Sequence, residues 1–371
     1  MSSQDTASGP SGPHANSDIS IEMYLLACGH GDTIFLRLPE DRWVLIDCHL
    51  RDRKIRQRFF DFVRRNKIGR LDFIFQTHPD FDHFCGMVHV LNHFTRDGRS
   101  IGYWCDGGLN ARQVRDLIAS DEHSEKEYAK LHDRLDELSD SGLIQTVSVN
   151  DWTEPMSPRG YSTKIDLFVV APSSALLRKT VRADIARLGK KAHSQFESNA
   201  LSLVLVLSVA VGSSNCNVLL CADTTSDGAI DALRQWKERA GKCGREKGFD
   251  AVKVPHHGSI RSHADQLCTA RRRGQDVRVA AISAGTRAAL PDREVIRMYR
   301  EEGWVVLVTT TRTRKATSNR LMDIVDRSGP PDCDITQQNV MISWNPKDGL
   351  VWEPDSAQVD AESLTLYETK A

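Results

Sequence analysis

The stretch that decides the reading is Leu71-Asp72-Phe73-Ile74-Phe75-Gln76-Thr77-His78-Pro79-Asp80-Phe81-Asp82-His83-Phe84-Cys85-Gly86. Its first seven residues are apolar and β-rich, and they end in polar residues, as a buried strand does. Two histidines and two aspartates then fall within His78–His83. That density of imidazole and carboxylate is rarely needed for packing. Pro79 keeps the segment from becoming helix. The cluster therefore belongs in a loop at the carboxyl end of a strand, where open α/β sheets bind their ligands. A polar turn with incidental histidines is the plainer reading of the same residues.

Upstream of this stretch, Met23–Ala27, Thr33–Leu38 and Trp43–Ile46 read as three strands. Gly29-His30-Gly31-Asp32 and Pro39-Glu40-Asp41 are the turns between them, so a meander opens one sheet. Asp47, directly after four apolar residues, is either a capping residue or an acid delivered to a site. Residues 51–67 carry Ile55, Phe59, Phe60, Phe62 and Val63 at helical spacing, with a basic face toward water. Residues 1–19 are rich in Ser, Gly, Pro, Asn and Asp and read as a disordered tail.

A chain of 371 residues suits two or three average domains, or one large α/β domain with insertions. Hydrophobic residues at 40% and charged residues at 27% are ordinary for a soluble globular protein. A formal net charge of -1 gives no support to a highly basic nucleic-acid binder, although a local basic patch remains compatible with it. Nine cysteines form no C-x-x-C pair, and several lie in apolar runs such as Val218-Leu219-Leu220-Cys221. Buried free thiols in a reducing compartment fit better than a disulfide framework. No N-terminal apolar segment precedes a cleavage site and no apolar run approaches ~18 residues. A cytoplasmic location with no membrane contact is the expectation.

Downstream, Met87–Leu91 begins a helix on which His89 and His93 stand four apart, and Ile101–Asp106 is a short strand into Gly107-Gly108. Such a histidine pair can bind zinc, but a partly buried pair on a helix face is the simpler reading. Residues 109–140 read as two helices, the second from Glu122 to Leu138, with His123 and His132 as surface residues. Ile144–Val147 is strand-like and Thr153-Glu154-Pro155 a polar loop, and Ile165–Pro172 is a strong strand. Residues 173–197 are basic and helical. Asn199–Leu207 and Asn217–Asp223 read as paired central strands, followed by a helix at 229–238. Asp250–Pro255 is a strand running into His256-His257-Gly258-Ser259. Val277–Ser283, a helix at 292–302, Trp304–Val308 and a weaker strand Asn339–Trp344 follow, with a loose acidic tail after about residue 352.

Three strand ends thus deliver the His78–His83 cluster, Asp223 and His256-His257. Imidazole and carboxylate ligands suit zinc or manganese, and more oxygen donors favour manganese. The set is large enough for two ions, with Asp223 able to bridge them at the about 3.5–4 Å separation of two-metal hydrolases. Bound water in such a site ionises near pH ~7. No nucleophile elbow or phosphate-cradling Gly-rich loop competes with this reading.

The succession Gly29-His30-Gly31-Asp32, Ile46-Asp47, His78-x-Asp80-x-Asp82-His83, Asp223 and Val252-Lys253-Val254-Pro255-His256-His257-Gly258-Ser259 resembles the metallo-β-lactamase fold superfamily. Within it, the chain is most similar to the hydrolase domain of the DNA-uptake (ComEC-type) competence proteins. Asp80 stands where the usual H-x-H-x-D-H motif has its second histidine. Asn199-x-x-Ser202-Leu203-Val204-Leu205 matches an N-x-x-S-L-V-L run. The His-His-Gly-Ser ending, then Ser283-x-Gly285 and Pro291, completes the pattern. The resemblance extends over about residues 21–325.

The resemblance implies an α/β fold, a four-layer αββα sandwich, over residues 20–350. Helical insertions near 109–160 and 173–197 would flank the site edge, and 351–371 would be a flexible acidic tail. It implies one or two Zn2+ or Mn2+ ions. His78 and Asp80 would hold the first ion, Asp82 and His83 the second, and Asp223 would bridge. His257 is the favoured terminal ligand, because related motifs place Gly or Ala directly after the ligand. His256 would then support it or contact substrate, Asp82 would also orient the attacking water, and Asp47 would support the ligands. Relatives often supply a third histidine to the first ion; here Asp106 is the positional substitute. Without that ligand the first ion binds more weakly, so the site would run with one ion or prefer manganese. His30 stands where relatives often carry Gln. The implied activity is a metallo-hydrolase, a phosphodiesterase or nuclease acting on DNA or RNA. The alternatives are hydrolysis of a small phosphorylated substrate, nucleotide, ester or lactone, and a partner-dependent or non-catalytic binding module. Arg271-Arg272-Arg273 and Arg312-x-Arg314-Lys315 either grip phosphates or form a solvated face.

Overall fold

Alternation along the strands sorts this chain into layers. In β1 (Ile21–Leu25), Ile21, Met23 and Leu25 enter one apolar cluster and Tyr24 another. β2 (Ile34–Leu38) splits Ile34, Leu36 and Leu38 from Phe35 in the same way, and β3 (Arg42–Ile46) splits Val44 and Ile46 from Trp43 and Leu45. Successive side chains of a strand point to opposite faces. Strands that are apolar at nearly every position are therefore buried on both sides, which requires a layer above and a layer below.

The computed structural model describes residues 20–107, 122–149, 153–155, 164–180, 198–272, 274, 277–284, 290–309, 334–336 and 339–354. The strands continue as β4 (Phe73–Phe75), β5 (Tyr103–Asp106), β6 (Gln145–Ser148), β7 (Thr153–Pro155) and β8 (Lys164–Ala171). Then come β9 (Val204–Val211), β10 (Ser214–Leu220), β11 (Ala251–Lys253) and β12 (Val279–Ser283), followed by β13 (Val305–Thr309), β14 (Asp334–Thr336), β15 (Val340–Asn345) and β16 (Gly349–Pro354). They form two 8-stranded sheets, ordered β16-β15-β1-β2-β3-β4-β5-β6 and β14-β13-β12-β11-β10-β9-β8-β7. One core lies between the sheets, joining Leu25, Leu36 and Ile46 to Leu205, Leu207 and Leu220. A second covers the outer face of the first sheet with Phe59, Phe62, Val90, Leu91, Leu131 and Leu135 from its helices. A third covers the outer face of the second sheet with Ala229, Trp236, Leu267, Val295 and Tyr299. This is the four-layer αββα sandwich.

β3, β4, β5 and β6 run parallel, and so do β10, β11, β12 and β13. Their carboxyl ends gather at one edge, where the backbone N–H of Leu203 donates to the carbonyl of Thr77 (2.9 Å) and joins the two sheets.

Three expectations need correction. The segment near 109–160 is not simply a helical insertion. Helix Glu122–Asp140 buries Tyr128, Leu131, Leu135 and Leu138 in the outer core, and residues 145–148 and 153–155 are the last strands of the two sheets. Thr153-Glu154-Pro155 is thus strand, not loop; Pro155 ends an edge strand, where a missing N–H is tolerated. The acidic tail begins later than residue 351, because Gly349–Pro354 pairs with β15 across a short turn. Residues 199–203 are a 3-10 turn and an extended link rather than the start of a strand. The expectations for residues 1–19, the helix at 109–121, the basic stretch 181–197, Arg273, Gly285, Arg312, Arg314, Lys315 and the tail beyond 354 lie outside the described residues. The eight described cysteines are free, all but Cys243 buried. No helix among the described residues is long and apolar enough to cross a membrane.

Helix Arg53–Arg65 shows how the outer layer is fixed. Asp52 caps it by accepting from the N–H groups of Lys54 (2.8 Å) and Ile55 (2.9 Å). Its inward face presents Phe62, which is 0% exposed and packs edge-on to Tyr24 and Trp43 and beside Phe35. Phe62→Ala is expected to lower unfolding free energy by about 3–5 kcal/mol, measured as a shift in the urea midpoint.

Candidate metal centre

His78 follows β4, Asp223 follows β10 and His256-His257 follow β11, so strands of both sheets bring their loops to one edge. Four side chains, Asp82, His83, Asp223 and His257, offer ligand atoms that all lie within 4.8 Å of one another. Asp223 is the hub. Its Oδ2 is 3.4 Å from His83 Nε2, 3.4 Å from His257 Nε2 and 3.9 Å from His256 Nε2. His257 Nε2 also stands 3.7 Å from Asp82, and His78 Nε2 stands 3.6 Å from Asp80.

Each imidazole is tethered by its other nitrogen. Asp47 accepts from the N–H of Thr77 (2.8 Å), the hydroxyl of Thr77 (2.6 Å) and His83 Nδ1 (2.7 Å). The Thr77 hydroxyl has given its proton to Asp47, so toward His78 Nδ1, 3.0 Å away, its oxygen can only accept. His256 Nδ1 meets the Ser262 hydroxyl at 2.8 Å and the Asn199 amide at 3.3 Å. His257 Nδ1 meets the carbonyl and hydroxyl oxygens of Ser283 at 3.1 Å and 3.2 Å. All four Nε2 atoms therefore face inward. Asp80 is tethered likewise by the Ser198 hydroxyl.

The interior atoms fit a cation. His78 Nε2, His83 Nε2, His257 Nε2 and Asp223 Oδ1 are buried without any hydrogen-bond partner. Buried polar atoms are normally satisfied, and lone pairs on orphaned nitrogens and carboxylate oxygens that converge are what a divalent ion needs. Asp47, His78 and His83 also come within reach of one another. Asp47, however, already spends both oxygens on Thr77 and His83, which suits it to holding candidate ligands in place.

Burial alone would push the His257 imidazole down, but Asp223, with Asp82 and Asp32, carries it up to about 10. His83 is raised well above its ordinary range: burial again opposes, and Asp223 and Asp47 prevail. Burial works to raise Asp223, yet His257 and His83 hold its carboxyl well below the usual range. Burial pushes His30 down, and His257 beside it adds to this.

The side chains of His78, His83 and His257 are 0% exposed, whereas those of Asp80 (33%), Asp82 (28%) and His256 (29%) reach solvent. The three histidines form a floor and the other three a mouth. His30 stands at the same mouth, its ring 4.3 Å from that of His257. The backbone is strained at this edge. Asp47, Ala222, His256 and His257 have φ values of 55°, 45°, 44° and 52°, a left-handed conformation that side chains resist.

Other expected residues lie elsewhere. Asp106 accepts from the indole of its neighbour Trp104 (3.3 Å) and belongs to neither ligand group. His89 is exposed beside Arg56, and His93 packs on Phe60. Arg271 bonds the carbonyl of Glu302 (2.8 Å) and its carboxylate (3.4 Å), while Arg272 binds the Asn215 carbonyl and faces Asp250. These arginines lie by the start of β10, at the end opposite the ligands, with their charge engaged. Sequence reasoning missed His49, buried behind the cluster, where burial pushes its imidazole down to about 4. A Cβ at Gly31 would collide with the His49 ring and the Asp82 carbonyl. A glycine two residues after another in a turn was the only available signal.

The imidazolium of His257 is favoured in the folded, metal-free protein over the unfolded chain, whose value is near 6.5. Its stabilising contribution is complete below that pH and is lost as pH rises toward 10. The urea midpoint of chelator-treated protein is expected to fall between pH 6.5 and 10. Zinc-loaded protein is expected to lose this dependence, because the ion replaces the proton. Gly31→Ala is expected to displace Asp82 and weaken zinc binding by about 10–100-fold, read by chelator competition.

The sequence model of the metallo-beta-lactamase superfamily matches residues 26–99. Among solved structures, the chain is similar to the metallo-beta-lactamase fold protein YhfI from Bacillus subtilis. That match has 11% identity, covers 85% of this chain and 96% of that one, and has a TM-score of 0.38. It is also similar to a diphosphatase from the PhnP family, with 10% identity, 88% and 98% coverage and a TM-score of 0.40. A third is BJP-1, a subclass B3 metallo-beta-lactamase of Bradyrhizobium japonicum, with 11% identity, 66% and 78% coverage and a TM-score of 0.33. No curated protein matches the chain. The matched segment is the one that supplies Asp32, Asp47, His78, Asp80, Asp82 and His83.

Proposed function

We propose that the protein is a metal-dependent phosphodiesterase that cleaves DNA or RNA. The observation that carries the reading is the convergence of orphaned Nε2 atoms and carboxylates on both sides of Asp223. Asp82, His83 and His257 would hold one ion; His78, Asp80 and His256 would hold the other, with Asp223 shared. Four imidazoles and three carboxylates make a mixed nitrogen and oxygen donor set, which suits either Zn2+ or Mn2+. His256, with Nδ1 anchored on Ser262 and Nε2 aimed at Asp223, supplies the first ion with the ligand that Asp106 does not.

Ions so held supply Lewis acidity and make hydroxide available near pH ~7. The chain's own groups do the rest. Asp82, at the mouth and only partly buried, is placed to accept a hydrogen bond from the attacking water and fix its direction. His30 faces the same opening and can donate to the oxygens of a bound phosphodiester. The floor of 0% exposed histidines keeps bulk water out on the far side.

Phosphodiester is preferred over a lactone or carboxylic ester for one reason. Asn199, which opens the Asn199–Leu205 run that resembles the competence-protein hydrolases, meets His256 at the site itself, and its neighbour Ser198 bonds Asp80. Bis(p-nitrophenyl) phosphate and single-stranded DNA are expected to be cleaved by Mn2+- or Zn2+-loaded protein. EDTA should abolish cleavage, and Asp223→Ala should lower it by at least about 100-fold, as loss of a ligand shared by both ions requires. Equal turnover of parent and Asp223→Ala, or a preference for a lactone, would overturn the assignment.

A further inference from the structure

Behind His257 lies a charged group that the chemistry above does not use. Lys253, the last residue of β11, is 0% exposed. Its Nζ stands 2.8 Å from Asp32 Oδ2 and donates to the Val254 carbonyl at 3.1 Å. The other oxygen of Asp32 accepts the hydroxyl proton of Ser283. Ser283 in turn faces His257 Nδ1 with its hydroxyl oxygen (3.2 Å) and its carbonyl oxygen (3.1 Å). The chain Lys253–Asp32–Ser283–His257 spans both sheets and reaches solvent nowhere.

We propose that Lys253, Asp32 and Ser283 are positioning residues that fix the hydrogen-bond polarity of His257, so that Nδ1 carries the proton and Nε2 the lone pair offered to a divalent cation. The reasoning follows each donor in turn. An ammonium can only donate, and a carboxylate can only accept. Asp32 therefore draws the Ser283 proton toward itself, leaving the Ser283 oxygen as an acceptor. The carbonyl of Ser283 is an acceptor as well. Between two acceptors, Nδ1 must be the donor.

Stability does not explain this pair. A buried ion pair replaced by neutral residues of similar shape is often no less stable. A neutral amide at position 32 differs from a carboxylate in one respect that matters here. It can donate to Ser283, which frees the hydroxyl to donate to Nδ1 and moves the imidazole proton to Nε2. Lys253 closes that option by keeping position 32 an anion. Asp47 does for His78 through Thr77 what Asp32 does for His257 through Ser283, and it holds His83 Nδ1 directly.

The proposal rests on the metal-centre reading, and the experiment separates the two. Parent, Lys253→Met, Asp32→Asn, the double variant Lys253→Met/Asp32→Asn and Ser283→Ala are purified with chelator. Each is titrated with Co2+, followed by its visible absorption, and with Zn2+ in competition with a chromophoric chelator. Urea unfolding is recorded for each without metal. A parent that binds neither ion overturns the metal-centre reading itself.

With a binding parent, Lys253→Met is expected to unfold readily, and the added Asp32→Asn to restore its urea midpoint. The double variant should still bind the ion that His257 would hold about 10–100-fold less tightly, with altered Co2+ bands. Restoration of both midpoint and parent metal binding in the double variant overturns the proposal. If the double variant does not fold, Ser283→Ala decides. It is expected to lose affinity and shift the Co2+ spectrum, and parent-like behaviour there overturns the proposal equally.

Discussion

Everything at this edge depends on how the imidazoles are held. Four histidines present Nε2 to one small space because Nδ1 of each is engaged from behind, by Asp47, Thr77, Ser262 or Ser283. An untethered imidazole would rotate, and its lone pair would be lost to the nearest donor. The carboxylate of Asp223 could not alone organise three rings around itself. What makes the centre is a second layer of acceptors, each belonging to a residue that the sandwich has already fixed by burial.

That layer is also why the fold was more legible than the site. The alternation in β1, β2 and β3, and the apolar runs of β9 and β10, demand covering layers on both faces, and the αββα order follows. The candidate ligands His78, Asp80, Asp82, His83, Asp223 and His257 stand in the loops that follow strands, where a strand-end rule finds them. Asp32 and Lys253 follow no such rule. They lie far apart in the chain, and only the pairing of β10 with β11 beside the β1–β2 turn brings them together. The arginines at 271 and 272 could be read two ways for the complementary reason. A charge run says nothing of the carboxylates and carbonyls that a fold will place against it.

The left-handed residues at Asp47, Ala222, His256 and His257 belong to the same account. Such conformations cost roughly 1–3 kcal/mol each, and a turn free to relax would avoid them. Asp47 is held by the sheet bond from its N–H to Phe75 (2.8 Å), and His256 by one to Ala222 (2.9 Å). The backbone is bent to aim side chains, and the strand ends supply the rigidity that maintains the bend.

The bond from the Leu203 N–H to the Thr77 carbonyl joins the two sheets one residue before the first histidine. The candidate ligands His78, Asp80, Asp82 and His83 follow a strand of one sheet, and Asp223, His256 and His257 follow strands of the other, from opposite halves of the chain. No fragment that folds one sheet by itself can contain the centre. The candidate ligands therefore converge only when the sheets dock. An ion captured there would act as a rivet across that seam, and its presence would report that the whole sandwich has closed.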